Sequence, residues 1–145
     1  MSDFSLREFI AESEQIVRAY SAESDVMRRI KPLLEKLLSN PSLPADAFAP
    51  RKDRFAMNLI YMPKDEVFSI VGGVWQPGQT TPIHDHLTWA LIGVYSGEER
   101  ESLYRRLDDV SDPIFAKIEM ASENINRKGH VTVLGKPGIH RVDNI

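Results

Sequence analysis

Three histidines in two short glycine-flanked motifs are the residues of this chain best suited to chemistry. The first motif runs Pro77-Gly78-Gln79-Thr80-Thr81-Pro82-Ile83-His84-Asp85-His86, a glycine and five residues ahead of His-x-His. Side chains alternate faces along a strand, so His84 and His86 are expected on one face with Cα atoms roughly 6.5 Å apart, and Asp85 on the other. Two imidazoles so placed can meet on one ion. The second motif, Lys136-Pro137-Gly138-Ile139-His140-Arg141-Val142-Asp143-Asn144, brings a third histidine just after a Pro-Gly turn. A lone His-x-His is commonly just the polar face of a strand. Two such motifs, with Trp75, Trp89 and Ile83 near in sequence to exclude water, point instead to a metal centre. Because the chain has no cysteine, any metal must sit on histidine, carboxylate or carbonyl. His130 follows Arg127-Lys128-Gly129, an expected turn, and reads as solvated. Arg100, Arg105 and Arg106 read as a solvated strand face, and Asp143 and Asn144 as hydrogen bonders that steady His140.

Two kinds of element must position these residues. Residues 5–39 read as two helices: Leu6, Phe9, Ile10, Ile16, Val17 and Tyr20 recur at helical spacing, as do Met27, Ile30, Leu33, Leu34, Leu37 and Leu38. Ser5 with Glu8 three residues on has the form of a capping box, and Asn40-Pro41 ends the second pattern. Pro32 either kinks that second helix or marks its start. From about Asp53 the character changes to short runs, FAMNLIYM, VFSIVGGVW, TWALIGVYS, SLYRRL and FAKIEM, separated by Pro, Gly, Asp and Asn. Short strands after a helical prelude predict an antiparallel barrel or sandwich with the helices packed outside. There is no linker and no repeat, so a single domain is expected.

The charge balance narrows the partners. A net charge of −3, with both signs interspersed, leaves no basic face for nucleic acid or an anionic membrane. Small molecules are the expected partners. The N-terminal stretch MSDFSLREFIAESEQ is amphipathic and acidic, unlike a secretory or transit leader, and no apolar run approaches the ~20 residues a spanning helix needs. A cytoplasmic location follows by elimination.

The two histidine motifs resemble those of the cupin superfamily, G-x5-H-x-H-x3-4-E-x6-G and P-x-G-x2-H-x3-N. Gly78, His84, His86 and Gly97 match the first and His140 and Asn144 the second, while Ala90 stands where the first has glutamate. Cupins of the cysteine dioxygenase family also lack that glutamate, and WQPGQTTPIHDH and GIHRVDN are similar to their versions of the motifs. The resemblance runs from about Arg54 to Asn144. It implies a mainly β fold, a cupin double-stranded β-helix or jelly-roll barrel with N-terminal α-helices. The single cupin domain would span 1–145, with 1–40 a helical segment packed on a barrel made by 53–145.

The same resemblance implies non-haem Fe(II) held by His84, His86 and His140, which act catalytically through the metal. The chain would then be an oxidoreductase, a thiol dioxygenase that passes both atoms of O2 to a small thiol and releases the sulfinic acid, as a monomer or homodimer. Three neutral imidazoles leave the ion its full charge, which favours an anionic thiolate partner. Met57, Trp75, Trp89 and Ala90 are the expected pocket residues. Met57 occupies, in Arg54-Phe55-Ala56-Met57-Asn58-Leu59, the place of the arginine that binds the substrate carboxylate in cysteine dioxygenases. That departure resembles the bacterial 3-mercaptopropionate dioxygenases, so a thiol other than cysteine is expected. The family continues past the third ligand into a strand with a Ser-x-His-x-Tyr motif, whereas this sequence stops at Ile145, so a barrel short of its C-terminal strands is expected. The alternatives are a cupin that uses another divalent metal for different chemistry and a non-catalytic cupin that binds a small molecule.

Overall fold

The computed structural model describes residues 4–145. Two helices come first, α1 at Leu6–Ala19 and α2 at Glu23–Leu38. The capping box forms as expected: the Ser5 hydroxyl accepts the Glu8 amide at 3.2 Å and the Glu8 carboxylate accepts the Ser5 amide at 2.8 Å. Free amide groups at a helix start are thereby satisfied from both sides. Of the two readings of Pro32, the start of a helix is excluded, because the residue lies inside α2. The apolar stripes of the two helices meet in a core of Phe9, Val26, Ile30 and Leu37, against which Leu33, Leu34, Ile70, Trp89 and Leu91 pack.

The remainder is mainly strands in antiparallel sheets: β1 at Ala56–Tyr61, β2 at Ile70–Val74, β3 at Ala90–Gly93, β4 at Glu98–Arg106, β5 at Ile118–Arg127, β6 at Val131–Leu134 and β7 at Ile139–Asp143. They form a β1–β2 pair, a β3–β6 pair and a three-stranded sheet in the order β5–β4–β7. The first five were anticipated by the apolar runs; β6 and β7 were not. A short 3-10 helix at Ala45–Phe48 lies against β1 and β2. Its approach depends on a missing side chain, since a Cβ on Gly72 would sit 1.9 Å from the Ala47 carbonyl oxygen. Helix α2 packs on β3 and β6, where Leu38 occupies the space a Gly93 side chain would need. No helix among the described residues is long and apolar enough to cross a membrane.

The segment that carries the first motif is not the strand that alternation suggested. It runs antiparallel to β7 through two isolated bridges, Thr80 with Asp143 and His84 with His140. Three residues, 81–83, stand between those bridges on one side and two, 141 and 142, on the other, so the segment bulges. Pro82 sits in the bulge and has no amide hydrogen to give to the ladder. Backbone bonds hold the rest: Thr81 donates to the Val142 carbonyl at 2.9 Å, Asn144 to Gln79 at 3.0 Å, and Gly78 to Asn144 at 3.0 Å.

Candidate metal centre

His140 stands in β7, whose neighbour β4 places Leu103 opposite it, while His84 faces it from the bulged segment. The two histidines exchange both backbone hydrogen bonds, at 2.9 and 2.8 Å, so their side chains leave the ladder on one face. His86 follows two residues later, and Leu87 in left-handed backbone (φ 58°) then turns the chain away. The three rings come to centroid distances of 4.6, 5.0 and 5.2 Å. His84 and His86 therefore converge as the sequence suggests, but a bridge and a turn bring them together rather than a regular strand.

The cluster is graded from inside to outside. His140 is 1% exposed, His84 is half-buried and His86 is exposed. Its open side is thus that of His86, whose sequence neighbour Leu87 is exposed as well. One ligand atom from each histidine can be chosen so that all lie within 4.8 Å of one another.

Proton positions follow from the partners. The Nδ1 of His84 lies 2.8 Å from the Pro82 carbonyl oxygen, which can only accept, so this nitrogen donates. The Nδ1 of His140 lies 2.9 Å from Glu101 Oε1, a carboxylate oxygen. In the neutral rings each Nε2 then carries a lone pair. Yet the Nε2 of His140 is 3.2 Å from that of His84 and 3.0 Å from that of His86. The lone pairs of His84 and His140, facing at 3.2 Å, repel unless a positive charge lies between them. At metal–nitrogen bonds of about 2.1 Å, imidazole nitrogens are about 3.0 Å apart at right angles and about 3.4 Å at the tetrahedral angle. The three histidines accordingly fit a metal ion, with the imidazole-only donor set that suits first-row divalent metals.

The titratable groups around the cluster are shifted in both directions. Burial, reinforced by His140 and His84, lowers the pKa of His86. Burial pushes that of Glu101 up, but hydrogen bonds from His140, Thr132 and Asn126 outweigh it, and the net shift is downward. Glu99, whose carboxylate accepts from Asn126 at 3.3 Å, is shifted upward, chiefly by burial. Asp143 is held low: burial opposes ionisation, but hydrogen bonds from Thr80 and Arg141 prevail, with Arg100 adding to them.

Other residues singled out in the sequence fall in several places. Asp143 and Asn144 do brace the His140 strand, the first through Thr80, Arg100 and Arg141 and the second through a bond to the Trp75 carbonyl at 2.6 Å. Arg100 is only half-exposed on account of that ion pair, so it is not part of a freely solvated face. Arg106 is likewise engaged, to Asp108, and Arg105 pairs with Glu119 while staying exposed. His130 is exposed, as expected.

The four expected pocket residues do not gather in one wall. Trp89 packs against the helical core, which accounts for its burial without a ligand, and Ala90 pairs with Leu134 at the start of β3. Trp75 stacks on Phe55 with centroids 5.8 Å apart, and it and Met57 both flank Gly73. Met57 is 54% exposed. The cavities of about 230 and 450 Å3 on the two faces of the β4 sheet are lined by none of the four.

Glu101 is the residue that sequence reading missed. It sits in EERESLYRR, among charges that read as a solvated face, yet it is 2% exposed. The available signal was its place two residues from Leu103, which puts a carboxylate on the same side of the strand as an apolar residue. No model of a known protein family matches the chain.

Proposed function

We propose that His84, His86 and His140 hold Fe(II) in a cupin-type barrel, and that the protein is a thiol dioxygenase that oxidises a small thiol to its sulfinic acid. The observation that carries the metal reading is the Nε2 of His140 facing that of His84 at 3.2 Å, with both Nδ1 atoms committed elsewhere, and a ligand atom of His86 within 4.8 Å of both residues. The iron and the reaction rest on the resemblance of the two motifs. When bound, the ion would lower the pKa of a coordinated thiol and mediate electron transfer from sulfur to O2.

The chain's own residues supply the frame. Three neutral imidazoles add no negative charge, so an anionic thiolate is the natural complement of the loaded centre. Exposed His86 leaves the approach open on one side to a small thiol. The reaction balances as RSH + O2 → RSO2H, the sulfur giving up four electrons, so no further reductant is required. A cysteine-free chain is suited to the reducing cytoplasm, where small thiols persist.

The test is metal analysis of protein purified without oxygen, followed by oxygen uptake across a thiol panel with the products identified by mass spectrometry. One iron per chain, and a product heavier than the thiol by two oxygen atoms, are expected. Stoichiometric binding of another ion with no thiol-dependent uptake would support the different-metal reading. Tight binding of a small molecule in the absence of any metal would support the non-catalytic one.

A further inference from the structure

The four strands around His140 converge on one buried carboxylate. Glu101, on β4, lies beneath the third histidine with Oε1 at 2.9 Å from its Nδ1. Its other oxygen, Oε2, accepts the Thr132 hydroxyl at 2.7 Å and the Asn126 side-chain amide at 2.8 Å. Thr132 is on β6, which pairs with β3 in a separate sheet, and Asn126 is on β5. Glu101, Asn126, Thr132 and His140 are all buried. A carboxylate in such surroundings is costly unless every oxygen is satisfied, and this one has three donors from three strands.

We propose that Glu101 is a positioning residue of the metal centre, holding His140 in the tautomer whose Nε2 is free to bind a cation and placing a compensating negative charge one hydrogen bond from the ligand. This inference rests on the metal reading. Carboxylate support of a ligating imidazole fixes ring orientation and raises ligand basicity. Here the effect is directional: β4 fixes the carboxylate, Thr132 and Asn126 fix its rotamer, and the ring of His140 is left no alternative partner for Nδ1 on that side. The three-histidine site would therefore not be charge-poor throughout. Its innermost ligand is backed by an anion, whereas the Nδ1 of His84 is backed by a neutral carbonyl.

Two variants separate the parts of the proposal. Glu101→Gln removes the charge and leaves one acceptor, for which His140 competes with Thr132 and Asn126; Glu101→Ala removes the charge and both acceptors. Co(II) and Zn(II) affinities, read by chelator competition and by the Co(II) spectrum, are expected to fall about 10- to 100-fold, more in the alanine variant. Nitrogen-15 NMR of the metal-free protein reads the His140 tautomer directly, a signature that general destabilisation does not produce while the fold persists. The wild type is expected to show the Nδ1–H form, and Glu101→Ala a shift toward Nε2–H. Urea midpoints of the metal-free proteins identify any variant that fails to fold, and Glu101→Gln, closest in shape, then decides the case. A wild type that takes up neither ion overturns the metal reading and the inference with it. Wild-type binding, with the folded variants within threefold of it, overturns the inference alone, as does a wild-type His140 in the Nε2–H form.

Discussion

At the scale of single residues, the centre depends on three imidazoles that reach one point from different depths. His84→Ala, His86→Ala and His140→Ala are each expected to abolish stoichiometric metal uptake, and His130→Ala to leave it nearly unchanged, since His130 is exposed and outside the cluster. Equilibrium dialysis decides this; metal retained by the His140 variant and lost by the His130 variant would reverse the ligand assignment. Acid should act in the same direction as ligand removal. Only neutral imidazole binds metal, so protons compete as pH falls through the histidine range near about 6.5. The lowered pKa of His86 delays that competition at one ligand. Affinity measured from about pH 8 to pH 5 should therefore be flat at first and then fall, and affinity that rises on acidification would exclude imidazole ligation. Under the proposed function, the resemblance sets Met57 where cysteine dioxygenases have the carboxylate-binding arginine. A thioether cannot replace the bidentate fork that an arginine offers a carboxylate. Thiols without an α-amino group, such as 3-mercaptopropionate, should show higher kcat/KM than L-cysteine, and the reverse order in oxygen-uptake kinetics would refute the assignment.

At the scale of elements, the decisive features are a capping box, two close approaches and a bulge. Ser5→Ala removes a hydroxyl that accepts the Glu8 amide, and should cost about 1 kcal/mol in a urea titration. Gly72→Ala should cost more, on the order of 2 kcal/mol or above, because its Cβ would meet the Ala47 backbone carbonyl, which cannot rotate aside. Equal midpoints for the two variants would mean that the 3-10 helix can retreat from β2 without loss. The bulge at 81–83 matters for function more than for stability. It allows the chain to pair with β7 at Thr80 and again at His84 while skipping the donor that Pro82 lacks. A regular ladder from Thr80 onward would shift the register of His84 against His140 by one residue and send the two rings to opposite faces.

At the scale of the whole molecule, a bound ion would tie the 78–86 segment to β7, more than fifty positions later in the chain. Ligand present at a thousand times its dissociation constant stabilises the folded state by about 4 kcal/mol. The metal-loaded protein should therefore melt well above the chelator-treated one, and His140→Ala should melt at one temperature with or without metal. Coincident wild-type melts would mean that no ion binds the native cluster tightly. The sheets also leave apolar area uncovered: Met57, Leu59 and Val71 are each at least 40% exposed on the β1–β2 pair. The long outer strand β5, by contrast, is blunted by Glu119, Glu123 and Arg127, charges that discourage edge-to-edge pairing.

The sequence by itself determined whatever depends on neighbours a few residues apart. The helical stripes of Leu6 to Tyr20 and Met27 to Leu38, the Ser5–Glu8 cap and five of the strands follow from local periodicity and turn chemistry, and the structure has them. The three histidines were legible because two are separated by one residue and the third follows its own Pro-Gly turn. Tertiary structure alone decided which other groups join them. Glu101 becomes the partner of His140 only because β4 pairs with β7 in the register that sets Leu103 opposite His140, a long-range choice invisible in EERESLYRR. Trp89 becomes core rather than pocket because it packs against the helical core where α2 lies on β3, and the bulge at Pro82 becomes useful only once β7 lies alongside. Local sequence constrains backbone dihedrals and the spacing of side chains on an element. Partner strands and their register are selected by burial summed over the molecule, and it is that sum which put a carboxylate beneath the innermost histidine.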